Sequence, residues 1–318
     1  MKIRLGYACI SNTLGISSSG LLTFSHFSKL GDQAMDKLDE VILKNFHNLE
    51  EILKYNIANE IYFYRMTSNL IPLLSHPLVN IDLNKYKNNF EKIGKLINDY
   101  HMRVDMHIDP YYVLNSTNDK VVESTINICK IYRNMFNLMK ISSNLILHIG
   151  GKTISKEEGI KRFINNFNLL DDDIKKMIVV ENDDKIYNIK DTLYIAKQLG
   201  IPMCLDYHHY KCNNEKEDVM DYLTDIFDTF NGVPKLHFSS PKSKKEYRAH
   251  HEYIDYLDFI DFIERIKFVG RDVDIMLESK MKDEALFRLV RQLKYKGYKV
   301  NKNSIILKLK RKKQDNNS

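Results

Sequence analysis

Along this chain, apolar runs repeatedly end in a histidine or a carboxylate. Met106-His107, Ile146-Leu147-His148, Val179-Val180-Glu181, Cys204-Leu205-Asp206 (followed by His208-His209), Leu236-His237 and Met276-Leu277-Glu278 share the pattern. A lone histidine at such a place is more often a satisfied structural residue than a ligand. Glu181 and Glu278 are harder to set aside, because a carboxylate closing an apolar run costs several kcal/mol to bury unless it is paired or metal-bound. Imidazole together with carboxylate suits ions such as zinc, manganese and iron. The candidates His107, His148, Glu181, Asp206, His209, His237, His250 and Glu278 outnumber the ligands of a single tetrahedral ion. They suffice for two or three ions, and a multinuclear centre points to phosphoryl chemistry: several cations can bind a phosphate, generate hydroxide near neutral pH and stabilise the leaving oxygen. Glu181, in the middle of the series, is the candidate bridging carboxylate. Of the pairs His208–His209 and His250–His251, one member each is expected to be a ligand and the other to support it; the spacing from Asp206 favours His209.

These residues are far apart in sequence, so something must bring them together. The runs that read as strands are Ile3–Cys9, Glu60–Arg65, Arg103–His107, Asn144–His148, Met177–Glu181, Pro202–Asp206, Lys235–Ser239 and Val273–Glu278. Between them lie segments of helical period: Asp36–Tyr55, with Leu38, Ile42, Phe46, Leu49 and Leu53 on one face, then Lys85–Tyr100, Val121–Met139, Lys156–Leu169, Ile189–Leu199, Asp218–Phe230, Tyr256–Ile266 and Asp283–Lys296. Gly200 before Pro202, and Asn231-Gly232-Val233-Pro234, stop helices ahead of the next strand. Strands alternating with helices predict a parallel sheet, and eight such units close into a single-domain (β/α)8 TIM barrel whose strand C-termini surround one mouth. Residues 1–298 would form the barrel and 299–318 a basic tail ending in Lys308-Leu309-Lys310-Arg311-Lys312-Lys313. The Ser11–Gly31 connection is too long for a minimal βα loop and reads as a binding or rim loop.

The composition fits this. The chain has 318 residues, 43% hydrophobic, with a formal charge of +6. The basic excess is compatible with DNA, although a general richness in Lys, Asn and Ile explains it equally well. Cys9, Cys129, Cys204 and Cys212 form no C-x-x-C pair and read as reduced thiols of a cytosolic protein. No stretch resembles a signal peptide or approaches the ~20 apolar residues of a membrane span. The expectation is a soluble cytoplasmic protein.

The ordered set Arg4-Leu5-Gly6-Tyr7, Tyr64-Arg65 with Ser68 and Leu70-Ile71-Pro72, Ser75-His76-Pro77, Leu147-His148-Ile149-Gly150-Gly151, Glu181-Asn182-Asp183, Asp206-x-His208-His209, Lys235-x-His237-x-Ser239, His250-x-x-Tyr253-Ile254 and Met276-Leu277-Glu278-x-Lys280 resembles the UV damage endonuclease family. The resemblance runs from Ile3 to about Leu289. The family is related to the three-metal apurinic-site endonucleases. The resemblance implies that His107, His148 and Glu181 bind one ion, that Glu181, Asp206, His237 and Glu278 bind a second, and that His209 and His250 bind a third. Manganese is the metal it points to first, with zinc, magnesium or cobalt as alternatives. Glu181, His76 and Lys235 would be catalytic, His76 and Lys235 lying by the metals or the phosphate, with Lys235 neutral or carboxylated to sit there. The implied reaction is hydrolysis of the phosphodiester immediately 5′ of a lesion in double-stranded DNA, leaving a 3′-hydroxyl and a 5′-phosphate, by a monomer without an obligate protein partner. Tyr7, Ser11, Asn12, Arg65, Pro110 and Tyr111 would face the DNA. Pro110 stands where the family has glutamine and Tyr111 keeps the aromatic, a departure that bears on lesion recognition. Lys242, Lys244, Lys245 and Arg248 could hold phosphates. The competing readings are an endonuclease restricted to abasic sites, a metal-dependent sugar isomerase or epimerase on the same barrel, and a non-catalytic damage-binding protein.

Overall fold

The computed structural model describes residues 1–152 and 155–308. Eight parallel strands form a closed barrel: β1 (Lys2–Ala8), β2 (Phe63–Met66), β3 (Arg103–His107), β4 (Asn144–His148), β5 (Ile178–Glu181), β6 (Met203–Asp206), β7 (Lys235–Phe238) and β8 (Val273–Leu277). Each pairs with the next, and β8 returns to β1 with Ile3 opposite Val273 and Tyr7 opposite Leu277. Around them run α1 (Ala34–Ala58), α2 (Lys87–Asp99), α3 (Asp119–Met139), α4 (Lys156–Phe167), α5 (Ile189–Leu199), α6 (Tyr207–Cys212), α7 (Met220–Asp228), α8 (Tyr256–Ile266) and α9 (Lys282–Tyr295). The expected (β/α)8 barrel is therefore what the chain forms, and none of the described helices is long and apolar enough to cross a membrane.

The strands point alternate side chains outward, where Ile3, Leu5, Leu145, Leu147, Ile178, Val180, Leu205 and Ile275 pack under the helices in one continuous core. The helices answer with the predicted stripes: Leu38, Ile42, Phe46, Leu49 and Leu53 of α1 are all buried. Local chemistry fixes helix ends. Asn188 and Asp191 form a reciprocal capping box at α5, and Gly200 takes the left-handed conformation (φ 64°) that ends it before Pro202.

Two segments are more ordered than the sequence suggests. The Ser11–Gly31 connection begins in a short hairpin (Ile10–Ser11 with Ile16–Ser17) and is pinned to α1, where Asn45 both accepts from the Gly20 N–H and donates to its carbonyl. The stretch expected to be a basic tail opens instead with a hairpin, β9 (Lys299–Asn301) and β10 (Ser304–Ile306), and β10 pairs antiparallel with the start of β1. Burial of Ile305 and Leu307 anchors it. Most of the terminal basic run lies outside the described residues.

Helix α2 approaches the end of α3 so closely that a Cβ on Gly94 would sit 1.7 Å from the Met139 carbonyl oxygen. Because the obstacle is backbone, Gly94→Ala is expected to lower stability by about 1–3 kcal/mol, read from urea unfolding.

Candidate metal centre

The inward side chains stack in layers set by the two-residue period of the strands. At the floor, Arg4 of β1 and Arg103 of β3 both hold Asp274 of β8, at 2.6 and 2.7 Å. One step up, Lys235 of β7 donates to Asp105 of β3 at 2.8 Å, both fully buried. Apolar groups flank this pair: Ile146, Val179 and Cys204 on one side, Ala8, Phe63 and Met276 on the other. The third step is the mouth, where His107, His148, Glu181, Asp206, His237 and Glu278 arrive together because each follows an inward residue by two positions.

Glu181, only 1% exposed, is the centre of this ring. His107 Nε2 lies 2.9 Å and His148 Nε2 3.8 Å from its Oε2, while His237 Nδ1 lies 2.8 Å and His209 Nδ1 3.7 Å from its Oε1. His237 Nδ1 is also 3.2 Å from Glu278 Oε1, and His250 Nδ1 is 3.9 Å from Glu278 Oε2. Two groups result whose donor atoms all fall within 4.8 Å of one another: His107, His148 and Glu181, and Glu181, Asp206, His237 and Glu278. Glu181 belongs to both, as a bridging carboxylate would.

The donor chemistry fits divalent cations. Asp206 Oδ2, His148 Nδ1 and His237 Nε2 are buried with no hydrogen-bond partner among the described residues, a costly arrangement for polar atoms left without further company. Other ring nitrogens are oriented from behind. His107 Nδ1 meets the Ile108 carbonyl at 2.8 Å, and His209 Nδ1 meets the Asn182 carbonyl at 2.9 Å. Such backbone contacts fix the tautomer and turn Nε2 toward the mouth. Asn182 in turn exchanges two hydrogen bonds with the Asp206 backbone, tying the end of β5 to the end of β6.

The electrostatics are those of mutually compensating charges. Burial alone would raise the Glu181 carboxyl, yet the neighbouring His237 and His148 hold it well below the usual range. Burial also pushes His148 down, leaving a neutral imidazole ready to donate a lone pair. Burial would lower His209 too, but Asp206, Glu181 and Glu278 outweigh it and bring the ring up to about 9. Glu278 is held low against burial by Arg65 first and then His237.

Above the ring is a cleft of about 350 Å³, lined by Arg65, His107, Pro110, His148, Glu181, His209, Glu278 and Cys9 among others. Larger hollows lie elsewhere, but among the described residues only this one has the histidine–carboxylate ring as its base.

A family model described as UV-endonuclease UvdE matches residues 3–308. The chain belongs to the UV-endonuclease UvdE family. It is 38% identical over 303 residues to the UV DNA damage endonuclease of Bacillus cereus (strain 03BB102), covering 92% of this chain and 95% of that one. The crystal structure of SacUVDE superposes with a TM-score of 0.85 at 31% identity, covering 93% of this chain and 99% of the other. Endonuclease IV from Thermus thermophilus (TM-score 0.55, 12% identity, 92% and 99% coverage) and D-psicose 3-epimerase from Clostridium cellulolyticum (0.50, 10%, 72% and 78%) share the barrel fold alone.

Within this UvdE-family barrel, the structure gathers His107, His148, Glu181, Asp206, His209, His237, His250 and Glu278 at the mouth, and the members of each histidine pair have different surroundings. His208 is buried against Tyr247 and His250, while His251 is exposed and accepts from the Tyr253 N–H. Other expectations need correction. Tyr7 is fully buried, its hydroxyl donating to Asn56 and its ring packed on Tyr64, because its position in β1 points it outward under the helices and away from the interior of the barrel. Ser11 is also buried and donates to Asp283; Asn12 is half-buried beside it and receives its backbone anchor from the same carboxylate. Arg65 does line the cleft above the ring, with its guanidinium paired to Glu278 at 2.6 Å. His76 stacks on Phe24, ring centroids 3.8 Å apart, in the loop after β2 and outside the ring. Lys235 lies beneath the ring, about 6.6 Å lower along its strand than His237, and it is paired with Asp105 at 2.8 Å instead of pointing at the metal ligands, the position for which a neutral or carboxylated side chain was expected. Of the residues expected to face DNA, only Pro110 and Tyr111 stand exposed at the rim.

Asp105, Asp274 and Asp283 support the site without being among the residues that the sequence singles out. Asp105 carried a usable signal: it precedes His107 by two residues, and so shares its inward face.

Two outcomes follow from the geometry. Lys235→Met should cost about 3–5 kcal/mol by stranding Asp105, whereas Lys235→Met with Asp105→Leu should recover most of that loss, measured by denaturant unfolding. A divalent cation entering the ring must displace protons, so calorimetry in buffers of different ionisation enthalpy should show proton release on manganese binding at pH 7. The His209 share of that release should vanish as the pH rises through about 9, with affinity increasing over the same range.

Proposed function

We propose that this protein incises double-stranded DNA immediately 5′ of UV photoproducts and of other lesions such as abasic sites, leaving a 3′-hydroxyl and a 5′-phosphate. The observation that carries the reading is the sharing of buried Glu181 between two groups of donor atoms, set within a chain of the UV-endonuclease UvdE family. His107, His148 and Glu181 would hold one cation, Glu181, Asp206, His237 and Glu278 a second, and His209 with His250 a third, manganese being the first candidate. Bound there, the cations would supply Lewis acidity at the scissile phosphate and a hydrolytic nucleophile near neutral pH.

The remaining residues position and recognise. The Ile108 and Asn182 carbonyls hold the rings of His107 and His209, and Arg65 fixes Glu278. The Pro110-Tyr111 corner projects from the loop after β3 with Tyr111 65% exposed, its hydroxyl donating to Asp109. An aromatic ring held this way can stack on an unpaired base, a contact worth about 1–3 kcal/mol. Damaged nucleotides cost less to unstack than intact ones, so such a probe selects lesions without a base code. Residues 242–248, all exposed, put Lys242, Lys244, Lys245 and Arg248 beside the same mouth, where backbone phosphates would pass.

The test is incision of a labelled duplex with one pyrimidine dimer, beside an abasic duplex, with manganese and with chelator. A chelator-sensitive nick directly 5′ of the dimer is expected, and Glu181→Gln should reduce it at least about a hundredfold while remaining folded by circular dichroism. Cutting of the abasic duplex alone would move the substrate; cutting of neither would sink the assignment.

A further inference from the structure

With Arg65 committed to Glu278 and Lys235 to Asp105, the mouth still contains a cation without a partner among the described residues. Lys282 is the first residue of α9, half-buried, and its ammonium makes no hydrogen bond or ion pair with any of them. It lies in the electrostatic field of Cys9, Arg65 and Glu278, which line the cleft above the ring.

Nothing about this placement favours folding. The backbone of Lys282 is left-handed (φ 46°), a region that costs a non-glycine residue free energy. A positive charge at a helix N-terminus opposes the helix dipole. Half-burial without a direct ion-pair partner among the described residues adds a desolvation cost that the more distant Glu278 only partly offsets.

The surroundings hold the residue there nonetheless. The Lys280 and Met281 N–H groups donate to the His251 and Glu252 carbonyls of the loop after β7, at 3.2 and 3.0 Å. The Lys282 N–H closes a turn onto the Ser279 carbonyl. Next to it, buried Asp283 accepts from Ser11 Oγ, the Asn12 and Thr13 N–H groups and the Tyr55 hydroxyl, locking the start of α9 to the loop after β1. Anchors on both sides hold the Lys282 backbone in the connection from β8 to α9, four residues beyond Glu278 and on the mouth face of the barrel.

We propose that Lys282 contacts a backbone phosphate oxygen of the DNA at the mouth, giving the ammonium the anionic partner it lacks in the folded chain. This rests on the incision reading above. The contact is electrostatic and independent of sequence, so it acts on affinity and positioning.

The experiment uses metal-loaded wild type, K282Q, K282R and K282G in single-turnover incision of a duplex carrying one pyrimidine dimer, across a series of salt concentrations, with metal content and melting temperature measured alongside. K282Q and K282G are expected to weaken DNA binding about tenfold or more and to reduce the slope of log affinity against log salt by about 0.9. K282R should keep most of both. Metal content should be unchanged, and K282G should melt no lower than wild type because glycine relieves the left-handed backbone. Variants that match wild-type affinity and salt slope while the wild type cuts would overturn the inference alone, as would losses that track lost metal. A wild type that neither binds nor cuts the duplex would overturn the incision reading, and the inference with it.

Discussion

A carboxylate buried at the mouth of the barrel is the constraint around which the structure is arranged. Glu181 cannot lie there as an isolated charge, because desolvation would cost far more than any packing it gains. Imidazoles from β3, β4, β7 and the short helix α6 surround it. Each comes from a different segment, so compensation depends on register across the sheet: His148 stands opposite Glu181, and Asp206 opposite His237. A slip of one residue in any strand would turn its ligand into the helix layer and an aliphatic side chain into the ring. The continuous core between strands and helices stabilises the fold; the interior of the barrel is where that stability is committed to chemistry.

The same logic continues downward. Lys235 answers Asp105 in the middle layer, and Arg4 and Arg103 answer Asp274 at the floor. The apolar patches around Val179 and Phe63 keep water from the ion pair between them. A charged column inside a barrel survives because at every level each buried carboxylate has a cationic or imidazole partner beside it.

Much of this was legible in the sequence, because the two-residue strand period and the residue types that end each strand are local signals. The barrel and the residues at its mouth follow from them. What was not legible depends on contacts between distant segments. Residue type cannot say that Arg65 meets Glu278, that Lys235 meets Asp105, or that His76 stacks on Phe24 in a neighbouring loop. For Tyr7 the resemblance and the strand parity disagree, and parity decides: in β1 it alternates with Gly6, which faces Phe63 inside the barrel, so its side chain points out. The β9–β10 hairpin was obscured because its turn uses Lys302 and Asn303, both left-handed, where an Asn-Gly pair would have announced it.

Glu181 and Glu278 are not equivalent despite their shared position at strand ends. Glu181 is compensated by imidazoles, and these can give up protons to make room for a cation. Glu278 is compensated first by Arg65, a guanidinium that never deprotonates and approaches Oε1 at 2.6 Å. An arriving cation can replace charge at the Glu181 end but must coexist with it at the Glu278 end. The oxygen left for it there is Oε2, on the side of His250. Arg65 therefore draws electron density from this carboxylate and makes it the weaker donor of the two. The asymmetry divides the ring into a half compensated by imidazoles around Glu181 and a half compensated by a permanent guanidinium charge around Glu278, on the side of His250.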